Sequence, residues 1–188
     1  MFPFSKVIDV CWVVFWVYWL IAAFDSKKNT KPTIKRYSGV RLIVFALVIV
    51  FFRFINVQNH SFQNRLTSKN ESVLVAGLIV FILGLMLAIW ARLYIGKNWG
   101  MPMTQKQNPE LVTTGPYQYI RHPIYSGILL AMLGSAMASN IFWLTILLIS
   151  GLYFIYSATA EERLMMKQFP KNYPDYKSNT KMYIPFIL

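Results

Sequence analysis

Charge, cysteine and histidine are all scarce in this chain, and each shortage removes a class of function. Only 14% of its 188 residues are charged, against 56% hydrophobic, and the mean hydropathy is +0.43. A soluble domain carries about a quarter charged residues, so the missing charge points to a bilayer as solvent. Cys11 is the only cysteine, which excludes an internal disulfide and leaves the redox compartment unread. With one thiol and two histidines, His60 and His122, a metal centre built from His and Cys has too few ligands, and no metal is expected. Acids are scarce as well: 7 Asp and Glu stand against 19 Lys and Arg, a net charge of +12. The basic excess clusters in short stretches between apolar runs rather than over a soluble face, so nucleic acid is not the expected partner. No internal repeat, low-complexity segment or soluble domain interrupts residues 1–188, which read as a single membrane domain.

What is present is apolar length. A spanning helix needs about 20 mostly apolar residues. Residues 7–24 supply the first; the stretch is long and interrupted by Trp12, Trp16 and Trp19, so a retained span is expected rather than a signal peptide. Residues 42–57 and 73–95 supply the second and third. Residues 124–156 are apolar for longer than one crossing and broken near Ser139 and Asn140. That predicts a tight helical hairpin, with a fourth span to about 138 and a fifth over 141–156. The expected fold is therefore an all-α, polytopic integral membrane protein with five transmembrane helices, the last two forming a helical hairpin. Residues 1–95 hold the first three spans; residues 96–188 hold a loop, the hairpin and a tail.

Basic residues orient this topology. Lys27, Lys28, Lys31, Lys35, Arg36 and Arg41 follow the first span; Arg92, Lys97, Lys106 and Arg121 lie around the third loop; Arg163, Lys167, Lys171, Lys177 and Lys181 lie in the tail. Five spans put all three groups on one side, which the positive-inside rule makes cytoplasmic, with the N-terminus outside. Asp9 and Arg53, near the outer ends of the first two spans, are expected to pair. The long polar stretches, 96–122 and 157–188, both face the cytoplasm, so chemistry is expected there.

Gly115 and Pro116 mark a turn, and Pro123 suits a first helical turn because its missing amide hydrogen is not needed there. Arg121 and His122 then stand at a positive helix N-terminus that can receive an anion such as a carboxylate. Folding the hairpin at Ser139 and Asn140, and adding one helical turn of about 5.4 Å, brings Glu161 and Glu162 level with residues 117–121. Carboxylates for a ribose or ammonium, aromatic rings for a base, and Arg with a helix end for a carboxylate together suit a zwitterionic nucleoside such as S-adenosylmethionine. Taken singly, each piece has a plainer reading: Arg121 and His122 as headgroup anchors, the glutamates as a solvated helix face, the tyrosines and Trp99 as interfacial aromatics.

Taken together, Gly-Pro-Tyr-x-Tyr-x-Arg-His-Pro-x-Tyr at 115–125 and the later Glu161-Glu162 resemble the isoprenylcysteine carboxyl methyltransferase family. The related phospholipid N-methyltransferases share the Arg-His-Pro-x-Tyr and Glu-Glu elements. The resemblance runs from about Arg92 to the C-terminus. It implies a methyltransferase that uses S-adenosylmethionine, releases S-adenosylhomocysteine, and acts on a lipophilic acceptor at the cytoplasmic face. It further implies that Leu111, Val112, Tyr117, His122, Pro123, Ile124, Tyr125 and Glu161 line the cofactor site, with Gln105 as the glutamine of the preceding loop. Asn98 and Trp99 lie where the acceptor's head would meet the cofactor. Arg92, Arg121 and Glu162 are the candidates for a catalytic role, Glu162 as a base toward an amine. The eukaryotic prenylcysteine enzymes carry a carboxylate-holding arginine four residues before the first glutamate, where this chain has Ser157. Carboxyl O-methylation of a prenylcysteine is the leading expectation and N-methylation of a phospholipid or other small lipid the alternative. An NADPH-dependent enzyme of the sterol-reductase type and a non-catalytic membrane carrier or scaffold are the readings from other classes. The first would bind NADPH in a basic pocket, and the second would carry intramembrane acids or broken helices near the midplane.

Overall fold

A computed structural model describes residues 4–24, 70–100, 108 and 110–184. The predicted second span, Arg53 and Gln105 lie outside the described residues, which are helical with no extended strand. Five helices are described: α1 (Phe4–Phe24), α2 (Glu71–Ile95), α3 (Pro123–Ala138), α4 (Trp143–Gln168) and α5 (Tyr173–Asn179). Short 3-10 turns, Gly96–Asn98 and Gly115–Gln118, lie between α2 and α3. Among the described residues, three segments are long and apolar enough to cross a membrane: Phe4–Ala22, Glu71–Asn98 and Trp143–Gln168. The 16-residue α3 is shorter than that.

Beyond Asp9, helix α1 is apolar all round, and its neighbours divide it. Ile8, Trp12, Phe15 and Trp19 recur at helical spacing and are buried, while Val10, Val13, Val17 and Leu20 are exposed. Such a helix loses water-exposed apolar area only if lipid covers its outer face. Trp12 fixes the inner face: its ring stacks on Trp143 at 5.5 Å and meets Phe81 edge-on, and its Nε1 donates to Ser135 Oγ at 3.0 Å. Ser135 passes its own hydrogen to the Ala131 carbonyl, so this buried polar group is satisfied.

Helices α2 and α3 meet backbone to backbone. A side-chain carbon added to Gly84 would lie 2.6 Å from the Gly127 carbonyl oxygen, and one added to Gly127 would lie 2.6 Å from the Ala88 nitrogen. Gly77 and Gly134 repeat the arrangement one step along. Between helices in lipid, where apolar side chains gain nothing by leaving their solvent, small residues allow this closeness and its dispersion energy.

Helix α4 runs beyond the fifth predicted span, through Glu161 and Glu162 to Gln168. The sequence Ala158-Thr159-Ala160-Glu161-Glu162-Arg163-Leu164 is rich in strong helix formers and free of Gly and Pro, so loss of apolar character does not end the helix. The chain then turns through α5 and lays residues 181–183 against the segment before α3. Ile120 and Lys181 form a parallel bridge, Arg121 N donates to the Lys181 carbonyl at 2.8 Å, and His122 N donates to that of Met182 at 3.1 Å.

Candidate active site

A cavity of about 310 Å³ opens where α1, the end of α2, the start of α3 and the end of α4 converge. Its floor is set by the Arg-His-Pro corner. Pro123 is fully buried as the first residue of α3, and the preceding His122 has extended φ with ψ near 56°, which ends the incoming chain and starts the helix. Gly115 has φ +61°, open to glycine at no steric cost, and the Tyr94 ring packs where a side chain would stand. These two constraints direct Tyr117 inward, where it is buried on the cavity wall.

The two glutamates part company at this point. Glu161 is on the wall, with Oε1 accepting from Tyr125 OH at 2.6 Å and from Ser157 Oγ at 3.0 Å. His122 Nδ1 stands 3.8 Å from Glu161 Oε2. Tyr125 is itself locked between two rings, His122 at 5.4 Å and Phe154 at 4.4 Å, both nearly parallel to it. Glu162 points away from the cavity and is only 3% exposed. One oxygen accepts from Arg121 Nε at 2.6 Å, and the other pairs with Lys177 Nζ at 2.7 Å. Arg121 also donates to the carbonyls of Thr180 and Lys177, so Glu162 and the tail share one guanidinium.

Leu111, Val112, Tyr117, Arg121, His122, Ile124, Tyr125, Glu161, Asn98 and Trp99 all line the cavity. Pro123, Glu162 and Arg92 do not. Arg92 is buried at the end of α2, where it donates to the Gly96 carbonyl at 2.7 Å and to Ala22 of α1, with its guanidinium 4.8 Å from the Trp99 ring centre. Asn98 Nδ2 donates to Glu110 Oε2 at 3.2 Å.

Several wall residues carry no signal in a motif: Trp16 and Trp19 arrive from α1, and Met165 and Gln168 from the last turns of α4. Tyr173 and Tyr176, from α5, belong to the tail that the family resemblance covers. Glu110 is a further exception: one of seven acids in the chain, directly before Leu111, it was legible as a site candidate. Burial raises the hydroxyl pKa values of Tyr117 and Tyr173 above the ordinary tyrosine range and pushes Tyr176 up to about 12. These phenols stay neutral, and Tyr176 OH donates to the Tyr117 carbonyl at 2.7 Å. Among the described residues no group of three or more His, Cys, Asp or Glu could hold a metal ion.

The phospholipid methyltransferase family model matches residues 72–172, from the start of α2 to just before α5. The nickel-cobalt-cadmium resistance protein NccN of Alcaligenes xylosoxydans xylosoxydans is 27% identical over 149 residues, 78% of this chain and 63% of that protein. The protein-S-isoprenylcysteine O-methyltransferase of Schizosaccharomyces pombe is 32% identical over 109 residues, 56% and 46% of the two chains. The phosphatidylethanolamine N-methyltransferase B of Dictyostelium discoideum is 31% identical over 161 residues, 77% and 74%. The chain thus spans less than two thirds of the first two relatives. With more than half its length matched by one family model, and with the Arg-His-Pro corner and Glu161 meeting across one cavity, the chain belongs to the phospholipid methyltransferase family.

Proposed function

We propose that this protein transfers a methyl group from S-adenosylmethionine to a lipophilic acceptor at the cytoplasmic face of a membrane, most like the carboxyl O-methylation of a prenylcysteine. The observation that carries the reading is Glu161 held by Tyr125 and Ser157 on the same cavity wall as His122, at the N-terminus of α3. The donor set fits the cofactor: a carboxylate for a ribose or ammonium, a helix N-terminus for a carboxylate, and aromatic walls for a purine. One buried polar atom on the cavity wall, Gln168 Oε1, has no hydrogen-bond partner in the protein, while His122 Nε2 faces Glu162 Oε1 at 3.6 Å. Family membership implies a methyl donor in any case.

When bound, S-adenosylmethionine supplies a methyl group on a sulfonium, which passes in line to the acceptor and leaves a neutral thioether. The chain's tasks are therefore alignment and water exclusion, worth about 7–11 kcal/mol where reactants are well oriented. Glu161, Tyr125 and the His122 ring would hold the donor. Arg121, Glu162 and Lys177 fix the Arg-His-Pro corner to the tail and act as positioning residues. Trp16 lines the cavity while 46% exposed on the outer face of α1, which gives a lipid acceptor a way in from the bilayer side. Five spans, with α3 and α4 as a hairpin and the N-terminus outside, complete the proposed topology.

A second reading, an amine headgroup as acceptor, is favoured by Ser157. It is fully buried and spends its hydroxyl on Glu161, at the position where the eukaryotic prenylcysteine enzymes hold a carboxylate with arginine. The test is radiolabelled methyl transfer into a total lipid extract, followed by mild base. Released label identifies an ester, and label that resists base identifies an N-methyl product. No labelled lipid at all, or equal binding of S-adenosylhomocysteine by wild type and by folded His122→Ala and Glu161→Gln variants, would overturn the reading. Tight NADPH binding in place of S-adenosylhomocysteine would favour a reductase.

A further inference from the structure

We infer that Gln168 reads the purine of the methyl donor, and so fixes which way the donor lies: base outward, sulfonium toward the lipid. The inference rests on the function proposed above and deepens it. Phe154, Glu161, Met165 and Gln168 all line the cavity from α4. The last three, at i, i+4 and i+7, share one helix face. Glu161 and Gln168 stand about 10 Å apart along that face, and their side chains bracket a distance like that from a ribose diol to the far edge of a purine. Gln168 Oε1 is buried and has no hydrogen-bond partner in the protein. A buried acceptor without a partner is costly, about 1–3 kcal/mol, and a ligand donor removes that cost.

The surroundings select the donor. Tyr173 and Tyr176 line the same end of the cavity, with ring centres 5.8 Å apart, and offer aromatic surface to a flat base. A glutamine amide pairs in bidentate fashion with adenine, accepting from the exocyclic amine and donating to a ring nitrogen. Glu161 is one turn deeper than Met165, beside Tyr125, whose ring packs on Phe154 within the apolar part of α4. With the base at Gln168 and the ribose at Glu161, the sulfonium end reaches the wall built by Phe154, Ile128 and the α1 tryptophans, where a lipid acceptor arrives.

The test compares S-adenosylhomocysteine with S-inosylhomocysteine, its deaminated analogue, by titration calorimetry on the full chain in detergent. The analogue presents a carbonyl where adenine presents an amine. Wild type is expected to prefer S-adenosylhomocysteine about tenfold or more, the worth of a hydrogen bond and a buried mismatch. Gln168→Leu is expected to bind S-adenosylhomocysteine about tenfold more weakly and to treat the two ligands alike. Gln168→Asn, which keeps the amide but withdraws it, is expected to lose the preference too. Glu161→Gln is expected to weaken both ligands and keep their ratio. The ligand-free Gln168→Leu protein is expected to melt at or above the wild-type temperature, because Oε1 has no hydrogen bond within the protein to lose; a purely structural glutamine would lower it. A preference that survives Gln168→Leu overturns the inference while the function stands. Wild type that binds neither ligand overturns the functional reading and the inference with it.

Discussion

Glu161 and Glu162 are adjacent in the chain, yet they leave α4 about 100° apart and reach different worlds. Glu161 looks into the cavity, and its neighbours are hydroxyls. Glu162 is buried between Arg121 and Lys177, both its oxygens taken by cations. Removing one partner of a buried pair leaves the other charge unpaired, at a cost of about 3–5 kcal/mol. Glu162→Gln should therefore lower the melting temperature sharply and release the tail from the Arg-His-Pro corner. Glu161→Gln should change melting little and weaken S-adenosylhomocysteine binding instead. Melting and ligand titration on both variants check the contrast; a stable Glu162→Gln protein would remove the buried pair from the account. The doublet was visible in the sequence as a candidate pair, because acids are rare here and these two follow a long apolar run. The family resemblance put Glu161 at the cofactor and gave Glu162 a separate role, but composition alone did not divide them. Which glutamate faces the cavity depends on the rotational phase of a helix whose end composition alone did not fix, since the extension of α4 to Gln168 hides behind the loss of apolar character at Ser157.

At the scale of elements, the contact that positions the site is the glycine seam between α2 and α3. It carries the Arg-His-Pro corner on one end of α3 and Asn98 and Trp99 just past the end of α2, so the angle between these helices sets the width of the cavity. Gly84 is among the tightest points of the seam, with the Ala131 nitrogen and the Gly127 carbonyl oxygen both within 2.6 Å of where its side chain would begin. Gly84→Ala forces the backbones apart, and overpacking of this kind costs about 1–3 kcal/mol. Gly151 on α4 has only Leu129 Cδ2 nearby, at 3.9 Å, an ordinary contact. Gly151→Ala is expected to be silent in melting temperature and ligand affinity, whereas Gly84→Ala lowers both. Equal effects would deny the seam its role. The existence of α1, α2, α3 and α4 was legible from apolar length and from the turn chemistry at Gly115 and Pro123. The seam was not, because Gly77, Gly84, Gly127 and Gly134 read as isolated glycines until two helices are placed side by side. The α1 wall was equally hidden: Trp16 and Trp19 fit any apolar span, and only packing shows which face meets the cavity.

At the scale of the whole molecule, the distribution of charge argues for one orientation in the bilayer. Among the described residues, Lys97, Arg163, Lys167, Lys171, Lys177 and Lys181 all lie at the cavity end, and Lys6 lies at the far end of α1. Helix α2 with its following turn, Glu71–Asn98, has 28 residues and is about 42 Å long, more than the roughly 30 Å hydrocarbon core. It is long enough for its two ends to meet different aqueous phases, as the proposed topology requires. By the positive-inside rule the proposed topology puts the cavity end on the cytoplasmic side, where the proposed nucleoside donor and lipid acceptor would meet. The single native cysteine makes this measurable. In a Cys11→Ser background, a cysteine at Lys171 is expected to react with a membrane-impermeant maleimide in inside-out vesicles and to be protected in right-side-out ones. A cysteine at Glu71, exposed at the other end of α2, is expected to do the reverse, and detergent should equalise the two. Labelling of both positions from the same side would break the claim that α2 spans. Labelling with the sides exchanged would put the cavity outside, away from any cytoplasmic donor, and the proposed methyl transfer could not proceed as described.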